Sequence, residues 1–155
     1  MTTAHFTKIE EVIISNINKS KQNLQIAVAW FTNPKFADHL KNLHNKGVKI
    51  DIILSDDFIN FKNKKTNFQN LIDEGVIFRI TRFPNLMHHK FCIIDNRLII
   101  SGSYNWTLSA EKNNFENVIV TNDLNVVSQF STAFVELSKK TELLLNIKNT
   151  SFNSY

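Results

Sequence analysis

Leu24 to Leu54 reads LQIAVAWFTNPKFADHLKNLHNKGVKIDIIL, and the order of residue types in it decides the fold. Leu24 to Phe31 is short, apolar and bounded by polar residues, which predicts a buried strand. Asn33-Pro34 then supplies a cap and a first helical residue whose φ is already fixed. Phe36, Leu40 and Leu43 recur on one face, and Gly47 suits the exit, so a helix is expected from roughly Pro34 to Lys46. Val48 to Leu54 is a second strand. Strand, helix and strand at this spacing make a βαβ unit, whose crossover helix must cover one face of a sheet.

Working outward, Ile9, Val12, Ile13 and Ile17 follow Thr7, a cap residue, at helical spacing and predict an amphipathic helix ending near Lys19. Phe68, Leu71 and Ile72 predict a short helix stopped by Gly75, and Val76 to Arg82 a third strand. The rhythm then changes. Met87 to Ile94 and Leu98 to Ser101 are β-rich runs joined by a tight connection at Asp95-Asn96-Arg97. Gly102 to Glu111 reads as a turn into a short helix, and Asn117 to Thr121 as a further strand. Val126, Val127, Phe130, Phe134, Leu137, Thr141 and Leu144 line a long closing helix. The expected fold class is α/β: one domain over residues 1–155, an α/β/α sandwich with a mixed, largely parallel central sheet.

Composition sets the outer bounds. A chain of 155 residues with 43% hydrophobic and 21% charged residues is sized and balanced for one domain with a real core, which argues against wholesale disorder. Cys92 is the single cysteine, so a disulfide framework and a zinc site built on several thiolates are excluded. Met1 to Glu11 has no apolar core of the export-signal kind, and the longest apolar run is Ile26 to Phe31, so a cytoplasmic protein without a transmembrane segment is expected. The net charge is +4, and residues 1–90 carry 13 basic against 8 acidic residues. That excess suits a phosphate-bearing partner without selecting one.

The chemistry concentrates downstream. His88 and Lys90 lie two apart on an expected strand, so both side chains leave one face. The next strand runs into Gly102-Ser103, where a turn into a helix would aim amides at an anion, with Ser103 and Asn105 as further donors. A nucleophile or base, a fixed cation and neutral donors would then converge on one tetrahedral anion.

These residues carry a family resemblance. His88-His89-Lys90, four residues, Asp95, six residues and Gly102-Ser103-Tyr104-Asn105 match the HxKx4Dx6GSxN signature, and the chain resembles the phospholipase D superfamily. Glu116-Asn117-Val118 and the strand-helix order are similar to the family as well. In length and in its single motif copy the chain resembles the small bacterial endonucleases and cardiolipin hydrolases of the superfamily. The resemblance implies two-step phosphodiester cleavage: one histidine attacks phosphorus, a second protonates the leaving oxygen, and water releases the phosphohistidine. Attack must be in line with departure, so one imidazole cannot do both tasks. The family's solution implies a homodimer in which each copy brings His88, Lys90 and Asn105 to a shared site. Lys90 would offset charge on the non-bridging oxygens, Ser103 and Asn105 would donate hydrogen bonds, and Glu116 would accept from the far nitrogen of His88. No metal or other cofactor is implied. A nucleic acid substrate is expected. A phospholipid phosphodiesterase of the cardiolipin type and a non-catalytic nucleic-acid-binding module are the alternatives.

Asp95 has the opposite strand parity to His88 and suits a turn, so a structural role is expected. His89 alternates away from His88, to packing or surface. His39 and His44 are five apart on a helix, the wrong spacing for shared metal ligation. His5 falls in an expected frayed start, and Cys92 reads as a buried small hydrophobe. Lys62, Lys64 and Lys65, interleaved with Phe58, Phe61 and Phe68, fit a nucleic-acid contact patch or, equally, a solvated loop beside core aromatics. Trp30 and Thr32 end the first strand of the βαβ unit, where substrate channels open in such sheets. Trp106 would wall the same pocket or pack in the core.

Overall fold

The βαβ stretch folds as β2 (Asn23–Val28), α2 (Pro34–Asn45) and β3 (Lys49–Ser55), with β2 and β3 parallel in register from Asn23 against Lys49 to Ala27 against Ile53. Asn33 caps α2 by accepting from the Lys35 amide at 3.1 Å, and Gly47 leaves the helix with φ +91°, a conformation that costs glycine nothing. The computed structural model describes residues 1–62 and 66–151. Among them the other strands are β1 (Thr2–His5), β4 (Ile77–Thr81), β5 (Lys90–Ile94), β6 (Leu98–Gly102), β7 (Val118–Thr121) and β8 (Glu142–Leu143). The sheet order is β1-β7-β6-β5-β2-β3-β4-β8.

The sheet is mixed, but it is not largely parallel. Parallel pairing is confined to β2–β3 and β3–β4, and every other neighbouring pair is antiparallel. The cause is local. Asp95 and Asn96 both have positive φ, 51° and 53°, and turn β5 straight back into β6 without a crossover helix.

Helices cover both faces. Under α1 (Ile9–Ile17), α2 and α4 (Phe68–Asp73), one core joins Ile13, Ile17, Phe36, Leu40, Phe68 and Leu71 to Ile26, Ile52 and Phe78 of the sheet. On the opposite face α6 (Leu124–Ser138) sets Val127 and Phe134 against Ala27, Ile53, Phe91, Ile93 and Ile99. Two short helices complete the set, α3 (Phe58–Phe61) and α5 (Leu108–Lys112). Among the described residues no helix is long and apolar enough to cross a membrane.

Three local expectations are corrected. His5 is not in a frayed start, because β1 pairs with β7 and its ring Nε2 lies 3.1 Å from the Thr3 hydroxyl. Lys8, in the left-handed region, and not Thr7 precedes α1. The closing helix stops at Ser138; Leu144 instead follows β8, which covers the free edge of β4, and donates its amide to the Phe78 carbonyl at 2.8 Å.

Candidate active site

Strand direction brings the signature to one edge of the sheet. β5 is antiparallel to both β2 and β6, and β7 is antiparallel to β6. At one edge, therefore, β2 and β6 end while β5 and β7 begin. Trp30 follows β2, His88 precedes β5, Lys90 opens it, Ser103 and Asn105 follow β6, and Glu116 precedes β7. β3 also ends there and leads into Asp57. The motif spacing is strand geometry: at about 3.3 Å per residue, His88 to Asp95 is one strand outward and Asp95 to Gly102 one strand back.

Asp95 thus stands at the opposite edge, roughly 20 Å along the strand from His88. Its carboxylate accepts from the Ser20 hydroxyl at 2.8 Å and from the amides of Lys21, Gln22 and Asn23, each at 2.9 Å. Burial pushes its pKa up, but these bonds outweigh burial and hold it below the usual carboxylate range.

His88 lies just before the regular strand, exposed, its ring edge-on to Trp30 with centroids 5.8 Å apart at 79°. The backbone beside it is fastened on both sides. The Met87 carbonyl accepts from the Ser55 hydroxyl at 2.6 Å, and the His89 carbonyl from the Ala29 amide at 3.0 Å. Lys90 donates to the His88 carbonyl at 2.6 Å and sits 5.9 Å from the Trp30 ring centroid. Burial lowers the pKa of its ammonium, and the Glu116 charge opposes that shift.

Asn105 is buried, and its Oδ1 accepts from the Trp30 amide at 3.3 Å, leaving Nδ2 as its donor. It lines an open pocket of about 390 Å³ with Trp30, Thr32 and Asn114. Ser103 is committed elsewhere: its hydroxyl donates to Glu116 and accepts from the Asn117 amide at 3.1 Å. Glu116 also accepts from the Asn114 side-chain Nδ2 at 3.0 Å, and no hydrogen bond joins it to His88. The expected Glu116–His88 pairing is therefore not made within this chain, because the carboxylate is held by Ser103 and Asn114.

Gly102 is also explained differently. The helix after it starts only at Leu108, capped by Thr107, so no helix amides follow the glycine directly. A Cβ on Gly102 would stand 2.0 Å from the Asn117 carbonyl oxygen and 2.8 Å from the Val118 Cα, so the glycine admits β7.

Of the two readings of Trp106 the core holds and the pocket wall does not: it is buried, stacked on Phe36 at 4.4 Å and nearly perpendicular to Phe31. Lys62 is exposed, its Nζ 4.4 Å from the Phe58 ring centroid, whereas Phe61 and Phe68 are buried. Lys64 and Lys65 lie outside the described residues. His89 is exposed and edge-on to Phe91, and His44 links the Val48 and Glu74 carbonyls at 3.2 and 2.8 Å. Cys92 is buried, which pushes its thiol pKa up to about 12.

Two residues of this edge go unnoticed in the sequence reading. Asp57 accepts the Trp30 indole Nε1–H at 2.6 Å and caps α3 through the Ile59 and Asn60 amides at 2.9 and 3.2 Å. Asn60, buried, donates to the Ala29 and Ser55 carbonyls and accepts from the Phe31 amide, so it ties the ends of β2 and β3 together. The usable signal was Asp57 itself, a cap residue ahead of an apolar run.

A mixed sheet that collects an imidazole, an ammonium and a carboxamide at one edge defines an α/β domain of the phospholipase D type. Residues 13–138 match the family described as "Cardiolipin synthase, PLD-like domain", and the chain belongs to this phospholipase D-like family. It is 35% identical over 121 residues to a mitochondrial cardiolipin hydrolase of Chlamydomonas reinhardtii, covering 78% of this chain and 53% of that protein. The chain spans about half the length of the curated relatives it matches. Its fold is that of Nuc from Salmonella typhimurium, a phospholipase D family member, with TM-score 0.84, 20% identity and coverage of 94% of this chain and 99% of that one. NucT from Helicobacter pylori is also similar, with TM-score 0.79, 21% identity, 93% of this chain and 99% of that one covered.

Proposed function

We propose that this chain is a metal-independent phosphodiesterase that works through a phosphohistidine on His88, as a homodimer, with nucleic acid as substrate. The observation that carries the reading is the meeting of His88, Lys90 and Asn105 around Trp30, beside a pocket that Asn105 lines.

In the reaction an imidazole nitrogen of His88 bonds to phosphorus while the bond to the leaving oxygen breaks. That oxygen takes a proton from the second imidazole, His88 of the other copy. Water then attacks phosphorus and gives its proton to the second imidazole, which is thereby recharged; the P–N bond breaks, and His88 is restored as a phosphate monoester leaves. Lys90, now on the His88 carbonyl, is within reach of the non-bridging oxygens, and Asn105 Nδ2 adds a neutral donor. Ser103 and Glu116 support this edge from β6 and β7. Phe83, Leu86 and Phe115 are 96%, 61% and 107% exposed on the segments that lead into His88 and Glu116, a surface suited to cover by a second copy.

The nucleic-acid preference rests on the likeness to small single-motif endonucleases, the basic first 90 residues, and the Phe58–Lys62 pair as a place for bases to stack. A phospholipid phosphodiesterase is the second reading, favoured by the cardiolipin hydrolase name of the curated relatives and by the exposed Phe83 and Leu86.

The test is acid-quenched trapping of labelled phosphorus on the protein, with DNA and RNA oligonucleotides and a phospholipid compared in EDTA. Label on His88 from an oligonucleotide, absent from His88→Ala, is the expected result. Label from lipid alone would transfer the assignment to phospholipid. Turnover that requires Mg²⁺ would overturn the mechanism, and binding with no turnover on any substrate would make the chain a binding module.

A further inference from the structure

We infer that Trp30, anchored by Asp57, is the positioning residue that holds His88 and Lys90 in register with Asn105. The inference rests on the proposed phosphodiesterase reading and deepens it.

Trp30 is where the three signature groups meet. Its ring touches the His88 imidazole edge-on, its face lies toward the Lys90 ammonium, and its backbone amide donates to Asn105 Oδ1. His88 and Lys90 are near neighbours at the start of β5, whereas Asn105 follows β6, so no local backbone rule fixes where the carboxamide stands relative to the other two. Among the described residues the His88 ring makes no hydrogen bond, and its aromatic contact is with the indole, the two rings nearly perpendicular. For Lys90 the indole adds a cation–π attraction to the single bond with the His88 carbonyl.

An indole can serve as a reference only if its own torsions are fixed. Asp57 does this: the bond from Nε1 is short and charge-assisted at 2.6 Å. The carboxylate is itself immobilised by two amides at the start of α3, and Asn60 of that helix is bonded to both β2 and β3. A rigid path thus runs from the sheet through Asn60 and Asp57 to the indole and on to the imidazole and ammonium. Reactive groups displaced by about 1 Å lose about 100-fold in rate, which sets the scale of what such a path protects.

The experiment compares Trp30→Phe, Trp30→Leu, Asp57→Asn and the Trp30→Phe/Asp57→Asn pair. Asparagine still caps α3, but its amide cannot accept the indole N–H while it does so. Expected is a fall in kcat of about 10-fold for Trp30→Phe and for Asp57→Asn and about 100-fold for Trp30→Leu, with KM within about twofold of wild type. The double variant should be no slower than either single one, because both remove one bond. A raised KM at unchanged kcat, or additive losses in the double variant, would overturn the inference. A second readout needs no turnover: the ring-current displacement of the His88 ring protons, followed by NMR, should vanish in Trp30→Leu and change in Asp57→Asn. Unchanged His88 signals in both variants would refute the positioning role even in a protein that hydrolyses nothing. Absence of wild-type turnover with those signals altered would instead refute only the phosphodiesterase reading.

Discussion

Replacing Asp95 by Ala separates fold from chemistry within the signature itself. The carboxylate accepts one hydroxyl and three backbone amides, and its pKa is held down despite burial. Hydrogen bonds to a charged group contribute about 1.5–3 kcal/mol each when isolated. Asp95 is only half-buried, and water can take over part of what the freed amides lose, so the set is expected to stabilise by about 3–4 kcal/mol. The left-handed backbone at φ 51°, which Asp tolerates better than Ala, adds up to about 1 kcal/mol. Asp95→Ala should therefore cost about 4 kcal/mol, equivalent to a fall in Tm of about 10 °C in a chain of this size. Asp95→Asn keeps an acceptor and the turn preference and should cost about 1–2 kcal/mol. The pH sign follows from a depressed folded-state pKa. The stabilisation is present above the unfolded carboxyl value, about pH 4, and is lost as pH falls through the lower folded value. Urea unfolding followed by tryptophan fluorescence at pH 7 and pH 3 measures both effects. Turnover per folded molecule, taken well below either midpoint, should match wild type. A loss of kcat as large as that of His88→Ala, at an unchanged urea midpoint, would refute the reasoning.

Gly102→Ala places a methyl 2.0 Å from a backbone carbonyl oxygen that cannot rotate away, so β6 and β7 must part, at a cost of about 3 kcal/mol or more, read by equilibrium unfolding. Because burial lowers the Lys90 pKa, the alkaline limb of kcat/KM is expected below the ordinary lysine value; Glu116→Gln removes the opposing charge and should move that limb to lower pH still, and a shift upward would contradict the assignment. If both imidazoles of a dimer are needed, an equal mixture of wild type and His88→Ala that has exchanged subunits should show, per total protein, about one quarter of the specific activity of pure wild type, not one half.

The βαβ unit was legible because β2, α2 and β3 each carry a complete local signal: an apolar run, an Asn-Pro cap and an exit glycine. The direction of the later strands was not. Antiparallel pairing of β5 with β6 is set by two positive φ values at Asp95 and Asn96, whose residue types permit that turn without demanding it, and β7 returns against β6 only after the long segment that holds α5. β1 and β8 escaped notice because each is a short edge strand whose existence depends on a partner more than a hundred or some sixty residues away. At the site, the signature named His88, Lys90 and Asn105, and alternation suggested that Asp95 points away from His88. The actual separation is larger, a full strand length. Glu116 could not be paired from the sequence, since its bonds to Ser103 and Asn114 depend on how β7 meets β6.

The row of residues along the active edge bears on why the proposed reaction calls for a second copy. Register sets His5 beside Val118, Val118 beside Gly102, and Phe91 beside Ser101, which brings Lys90 opposite Gly102; Lys90 in turn pairs with Val28. His5 therefore shares the edge with His88, but three strand spacings separate it from Lys90, roughly 14 Å. Two imidazoles in line on either side of one phosphorus must have their reacting nitrogens within a few ångströms of it. His89 packs against Phe91, whose side chain joins the core under α6 on the other face, while His44 is tied to the Val48 and Glu74 carbonyls and His39 lies near Asn18. His89 thus belongs to the other face, and His39 and His44 lie toward the opposite ends of the strands, beside the end of α1 and the start of β3. If a histidine is the leaving-group acid, a second His88 is the one that can stand opposite the first without unfolding β1 or turning the 87–89 segment over. A specific activity per total protein of about one half that of pure wild type in the equal mixture would break this reasoning, because each subunit would then be acting with an acid of its own.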